Sequence, residues 1–183
     1  MLHLLLGAAA VFASLSHDTA TSRSIVSTPT IVATPVVRVR SYITADSIVV
    51  EKHKRRLTLY QLGIPVRTYP VALGKQPVGD KLRNGDNRTP EGLFFIDYKN
   101  PDSKYHMALH ISYPDAAHLA KSRAVGAKPG GDIMIHGLPR AFADVGDKHT
   151  QYDWTEGCIA VTNVQIDEIW RAIAPGSPIL IKP

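Results

Sequence analysis

Cysteine is nearly absent from this 183-residue chain, and Cys158 is the only one. No intrachain disulfide can form, no CxxC pair offers a zinc ribbon, and no early cysteine stands ready for a lipid. Long apolar runs are lacking too. The opening stretch MLHLLLGAAAVFASLS, residues 1–16, is shorter than the roughly 18 to 20 apolar residues that cross a bilayer. Its small residues at the end predict a secretory leader, cut after Ala13, Ser16 or Ala20, with no membrane span left after cleavage. Internal repeats and a dinucleotide-binding glycine pattern are also missing. Basic residues exceed acidic ones, giving +5 and a pI near 9.4, but no aromatic-studded basic stripe accompanies them. That sets nucleic acid aside and leaves either a solvated basic surface or affinity for anionic surroundings such as a wall polymer.

What is present suits one domain with appendages. Residues 17–44 are Ser, Thr, Val and Pro with little charge before Arg38 and Arg40, a composition that predicts a linker. The domain is expected over residues 45–183. Short apolar runs at 47–50, 57–60, 66–73, 94–97 and 106–111 predict strands, the first two joined by a solvated basic turn, Lys52 to Arg56. Residues 74–92 form a polar, glycine-rich loop. Pro114 is placed to open a short helix over 115–121. A longer helix is marked by Thr162 and Gln165 as a capping box, with Ile166, Ile169, Trp170 and Ile173 on one face; a closing strand follows at 179–181. Seven or eight short strands with two helices make a mainly β domain.

The chemistry concentrates between residues 133 and 163. Ile133-Met134-Ile135 leads into His136-Gly137, and Thr155-Glu156-Gly157-Cys158 leads into Ile159-Ala160-Val161, so both reactive side chains stand where an apolar strand meets a loop. A thiol becomes a strong nucleophile once an imidazole takes its proton. An unpaired cysteine is often only a small buried hydrophobe, but Gly157 permits a tight turn that exposes the next side chain and frees amides. A zinc site on His136 and Cys158 lacks further ligands, and His106 with His110 in HMALH lacks the glutamate of HExxH, so no metal or other cofactor is expected. His149, in the loop before Cys158, could orient a substrate or replace His136 as base. Trp154 reads as loop packing or a substrate contact.

These residues carry a resemblance. HG, some twenty residues, then T-x-G-C-hydrophobic, together with Gly74-Lys75-Gln76-Pro77-Val78-Gly79, Lys81, Gly85-Asp86 and Thr89-Pro90-Glu91-Gly92, resembles the L,D-transpeptidase catalytic domain (YkuD-like) family, in its T-x-G-C-h-A branch. The resemblance implies a β-sandwich of mixed sheets with the Cys and His at one end. It further implies an exported enzyme of the periplasm or cell wall that acts on peptidoglycan stem peptides. Cys158 would form the acyl-enzyme, His136 would be the base, and the Gly157 and Cys158 amides would be oxyanion donors. Thr155, Gly137, Lys81, Arg83 and His149 would contact substrate, with Lys81 or Arg83 meeting a carboxylate. Many members carry S-H-G-C-h-R or S-H-G-C-h-N; here Glu156 and Ala160 stand at the variable places, and His136 and Cys158 are 22 residues apart, a somewhat long spacing. These departures bear on substrate and acceptor. They keep open an L,D-carboxypeptidase or amidase, and a secreted wall-binding module with an inert thiol.

Overall fold

The computed structural model describes residues 42–183; the expected leader and most of the expected linker lie outside the described residues. β1 (Ser47–Glu51) and β2 (Arg56–Gln61) pair as an antiparallel hairpin that buries Ile48, Val50, Leu57 and Leu59. β3 (Ile64–Pro70) adds to β2 as a largely exposed edge. The remaining strands are β4 (Gly92–Asn100), β5 (Ala108–Ile111), β6 (Met134–His136), β7 (Ile159–Ala160) and β8 (Pro178–Lys182). All eight form one mixed sheet in the order β3-β2-β1-β8-β4-β5-β6-β7, parallel at β1–β8 and at β6–β7. β8 therefore lies mid-sheet, between β1 and β4, where the sequence suggested only a closing strand.

The sheet curls, and β4 is where it turns. Its first half, Gly92 to Phe95, pairs with β8, and from Ile96 on it pairs with β5, with a bulge between Ile96 and Tyr98. Past β3 the chain continues as Val71 to Gly74, and Ala72 exchanges amide hydrogen bonds of 3.0 and 2.8 Å with Ala160 of β7. The two outer ends of the sheet thus meet around a single core. Tyr69, Val71 and Leu73 pack there with Ile135, Ile159 and Val161. The result is the mainly β fold of mixed strands with a few short helices that the sequence implied.

α2 (Asn163–Ala172) begins at the anticipated capping box: Thr162 Oγ1 accepts the Gln165 amide, and the Gln165 side chain accepts the Thr162 amide. Ile166, Ile169 and Ile173 are almost fully buried, each stabilising by about 1.5–3 kcal/mol relative to exposure. α1 (Ala116–Ala124) is capped by Asp115, so Pro114 sits just ahead of the cap and outside the first turn.

One expectation fails. The basic turn between β1 and β2 is only partly solvated, because Lys52 is 2% exposed. Its ammonium donates to Gly79 O at 2.7 Å, Thr89 O at 2.9 Å and Glu91 Oε1 at 2.7 Å. A buried ammonium needs such a full set of acceptors, and the polar loop supplies it. Arg55 in the same turn holds Asp153 through Nε and Nη2, and the Asp153 carboxylate also accepts the Leu73 amide. One turn thereby anchors both the loop of residues 74–92 and the approach to Cys158.

Candidate active site

β6 and β7 set the geometry. They run parallel with Ile135 opposite Ile159 and His136 opposite Ala160. One residue back in this register, Cys158 falls beside Met134, so the thiol and the imidazole lie on one face as diagonal neighbours, about 7–8 Å between backbones. Both line a single cavity of about 860 Å³, with Lys75, Lys81, Tyr105 and Trp154 among its walls.

The imidazole of His136 is fixed. It is 3% exposed and lies 4.4 Å from the Tyr105 ring and 5.8 Å from Trp154, centroid to centroid. A carbonyl can only accept, so the 2.7 Å bond between Nδ1 and Gly137 O places the proton on Nδ1. Nε2 is then the basic nitrogen. Burial lowers the pKa to about 4 against the opposing pull of the Gly137 carbonyl, and the His149 and Lys104 charges push the same way as burial. At neutral pH this is an uncharged base.

Cys158 is half-buried, and its Sγ points to Asp132 O at 3.5 Å. Burial pushes the thiol up, against the Met134 amide and the Lys81 charge, which favour the thiolate. The resting pair is therefore thiol with neutral imidazole. Thr155 Oγ1 donates to Cys158 O at 2.7 Å and accepts the Gly157 amide at 3.1 Å, so it braces the turn from inside. The Gly157 amide is engaged there, leaving Cys158 as the other amide of the expected pair. Gly157 has φ +134, and a Cβ on it would come within 2.6 Å of Arg88 O, so only glycine fits.

The remaining expected residues fall in different places. Gly137 is buried against Tyr105 O and the Asn163 and Ile166 side chains, and it reaches the site only through the carbonyl that holds His136. Lys81 lines the cavity but is 3% exposed, with its ammonium on Asp86 Oδ1 at 2.8 Å. Burial alone would raise the Asp86 carboxyl; Lys81 and the Arg83, Leu82 and Arg88 amides hold it below its usual range. Arg83 is exposed and stands outside the cavity wall. His149 is buried in a neighbouring cavity, behind Tyr105 and Trp154. Sequence reasoning passed over Lys75 and Lys104, both on the cavity wall; Lys75 had a signal, since it lies inside the polar motif. His106 and His110 pair with Asp167 and Asp97, each at 2.7 Å, as structural histidines. Among the described residues no group of three or more His, Cys, Asp or Glu is arranged to hold a metal ion.

A profile of the L,D-transpeptidase catalytic domain (YkuD) matches residues 45–181. The chain belongs to the L,D-transpeptidase catalytic domain family. Over 128 residues it is 31% identical to YafK of Escherichia coli strain K12, a protein named provisionally as an L,D-transpeptidase. That match covers 67% of this chain and 44% of YafK, so the chain spans less than half of that relative's length. Among solved structures it is similar in fold to the helical cell shape determining protein Pgp2 from Campylobacter jejuni, with TM-score 0.56, 23% identity, and coverage of 74% of this chain and 47% of Pgp2. Bd1075 from Bdellovibrio bacteriovorus gives TM-score 0.52 at 24% identity, over 76% of this chain and 48% of Bd1075. An L,D-transpeptidase from Enterococcus faecium gives 0.50 at 16%, over 76% of this chain and 50% of that one.

Proposed function

We propose that this L,D-transpeptidase domain is a cysteine acyltransferase acting on peptidoglycan stem tetrapeptides in the periplasm or cell wall, reached through a cleaved leader. The observation that carries the reading is the cavity shared by Cys158 and a neutral, tautomer-fixed His136. His136 Nε2 takes the thiol proton as Sγ attacks the carbonyl between an L- and a D-centre. The Cys158 amide stabilises the oxyanion, joined by the Gly157 amide when it leaves Thr155. His136 then protonates the departing amine, leaving a thioester. A second amine attacks it and His136 takes that proton; the C–S bond breaks as the cross-link forms, and His136 returns the proton to the leaving thiolate. Water in place of the amine gives hydrolysis. Lys75 and Lys104 supply positive charge for stem carboxylates.

A second reading has one observation behind it. Burial raises the Cys158 thiol, as in an inert residue of a wall-binding module. Incubation with disaccharide tetrapeptides and mass analysis of the products separates the two. The enzyme reading expects cross-linked dimers or loss of the terminal residue, with both gone in Cys158→Ser. Unchanged tetrapeptide with the wild-type chain would leave the binding module standing.

A further inference from the structure

A second cavity of about 360 Å³ shares Tyr105 and Trp154 with the cavity of the thiol. The chain between β6 and β7, largely the 3-10 helical stretch Arg140–Gln151, builds most of it. Leu138, Pro139, Phe142 and Val145 make the walls apolar, and Phe142 and Tyr152 are 59% and 68% exposed, so solvent reaches it. Inside this apolar lining, His149 is 5% exposed, and among the described residues neither of its ring nitrogens nor the buried Trp154 Nε1 has a hydrogen-bond partner. Nearly all buried polar groups are satisfied in native proteins, and those that are not call for an explanation.

We propose that the cavity is a binding site for an aromatic ring bearing a hydroxyl, a phenol-type group whose hydroxyl pairs with one ring nitrogen of His149 and accepts the Trp154 indole N–H while its ring packs on Tyr105, Phe142, Tyr152 and Trp154. The indole N–H can only donate, so the ligand must offer an acceptor; neutral imidazole both donates and accepts, so a hydroxyl suits each. Four aromatic walls favour edge and offset contacts with one more ring. A bound ring would lie against Tyr105 and Trp154, which also pack on His136.

The test is a titration of the full chain with p-cresol, followed by the His149 imidazole and Trp154 indole resonances in NMR. Binding with a Kd on the order of a millimolar is expected for so small a ligand. Toluene, which lacks the hydroxyl, should bind at least about tenfold more weakly. Val145→Trp, which fills the cavity from a half-exposed position, should abolish binding, and His149→Phe should erase the preference over toluene. Free tyrosine and N-acetyl-tyrosinamide then tell a free amino acid from a ring carried on a polypeptide. Unmoved resonances, equal affinity for toluene, or binding that survives Val145→Trp would each overturn the assignment. Because the readout needs no turnover, Cys158→Ala must give the same result, and failure of the acyl-transfer reading leaves this test intact.

Discussion

His136 and His149 are buried to nearly the same extent, 3% and 5% exposed, yet the structure treats them oppositely. His136 sits at a strand end with one nitrogen committed to the Gly137 carbonyl, and its other nitrogen belongs to the cavity of the thiol. His149 sits in a 3-10 stretch with both nitrogens unpartnered in an apolar space. Burial lowers the pKa of both. Neutrality alone therefore does not mark a base. What distinguishes His136 is a fixed tautomer and a place in the cavity that the Cys158 thiol also lines.

The largest expected effect tests that difference directly. Cys158→Ser should lower turnover of tetrapeptides by several orders of magnitude while the fold persists, because serine is nearly isosteric and far less acidic. His136→Gln should cost roughly 10²–10⁴-fold, and combined with Cys158→Ser should add little. His149→Gln should stay within about tenfold of wild type if it acts only through the neighbouring wall. Loss with His149→Gln and retention with His136→Gln would exchange their roles.

The second test is acid unfolding. His136 has its folded pKa depressed to about 4 from 6.5, so the unfolded chain binds more protons between those values and stability falls as pH falls through that window. At about 1.4 kcal/mol per pH unit the loss approaches 3 kcal/mol. His149 contributes in the same direction, since its pKa is lowered as well. Denaturant melts from pH 7 to 4 should show the slope, reduced in His136→Gln and reduced again when His149→Gln is added to it. A flat profile for the wild-type chain would contradict the buried neutral imidazole.

Smaller effects are expected away from the pair. Asp153→Ala removes the acceptor of Arg55 and of the Leu73 amide, and should cost about 2 kcal/mol in chemical denaturation; a loss under 0.5 kcal/mol would mean that the clamp does not hold the loop. Glu156→Gln, at an exposed position, should change stability by less than about 0.5 kcal/mol. Its effect on turnover sharpens the substrate question, because Glu156 also lines the cavity of the thiol.

Much of this was legible from sequence, where the signal was local. The capping box at Thr162, the apolar face of α2, and the apolar runs that became β1, β2 and β4 are short-range patterns. The placing of Cys158 and His136 at the ends of short apolar strands was readable in the same way; their action as a pair belongs to the proposal. Legibility stopped where a residue's meaning depends on partners far along the chain. Lys52 looks like any turn lysine until Thr89 and Glu91 arrive around it. Thr155 looked like a substrate contact, but its hydroxyl is spent within its own turn. Lys81 was one of two candidates to meet a carboxylate, beside the alternative of a structural loop held by Asp86 and Thr89, and its ammonium is on Asp86. The stretch before Cys158 reads as loop in sequence; in the structure it is two short 3-10 segments that meet at Gly146, whose dihedrals are not helical.

The buried ammonium of Lys52 has a consequence for anyone who would exchange parts between related domains. The residues it holds lie 27, 37 and 39 positions further along the chain, so the polar loop and the β1–β2 turn are one transplantable unit, although they look like two. A graft that carried the loop without the lysine would leave the Gly79 and Thr89 carbonyls and the Glu91 carboxylate converging on nothing. A graft that carried the lysine without the loop would bury a cation with no counter-charge. Chimaeras built at either boundary alone should misassemble, and those that move both pieces together should fold.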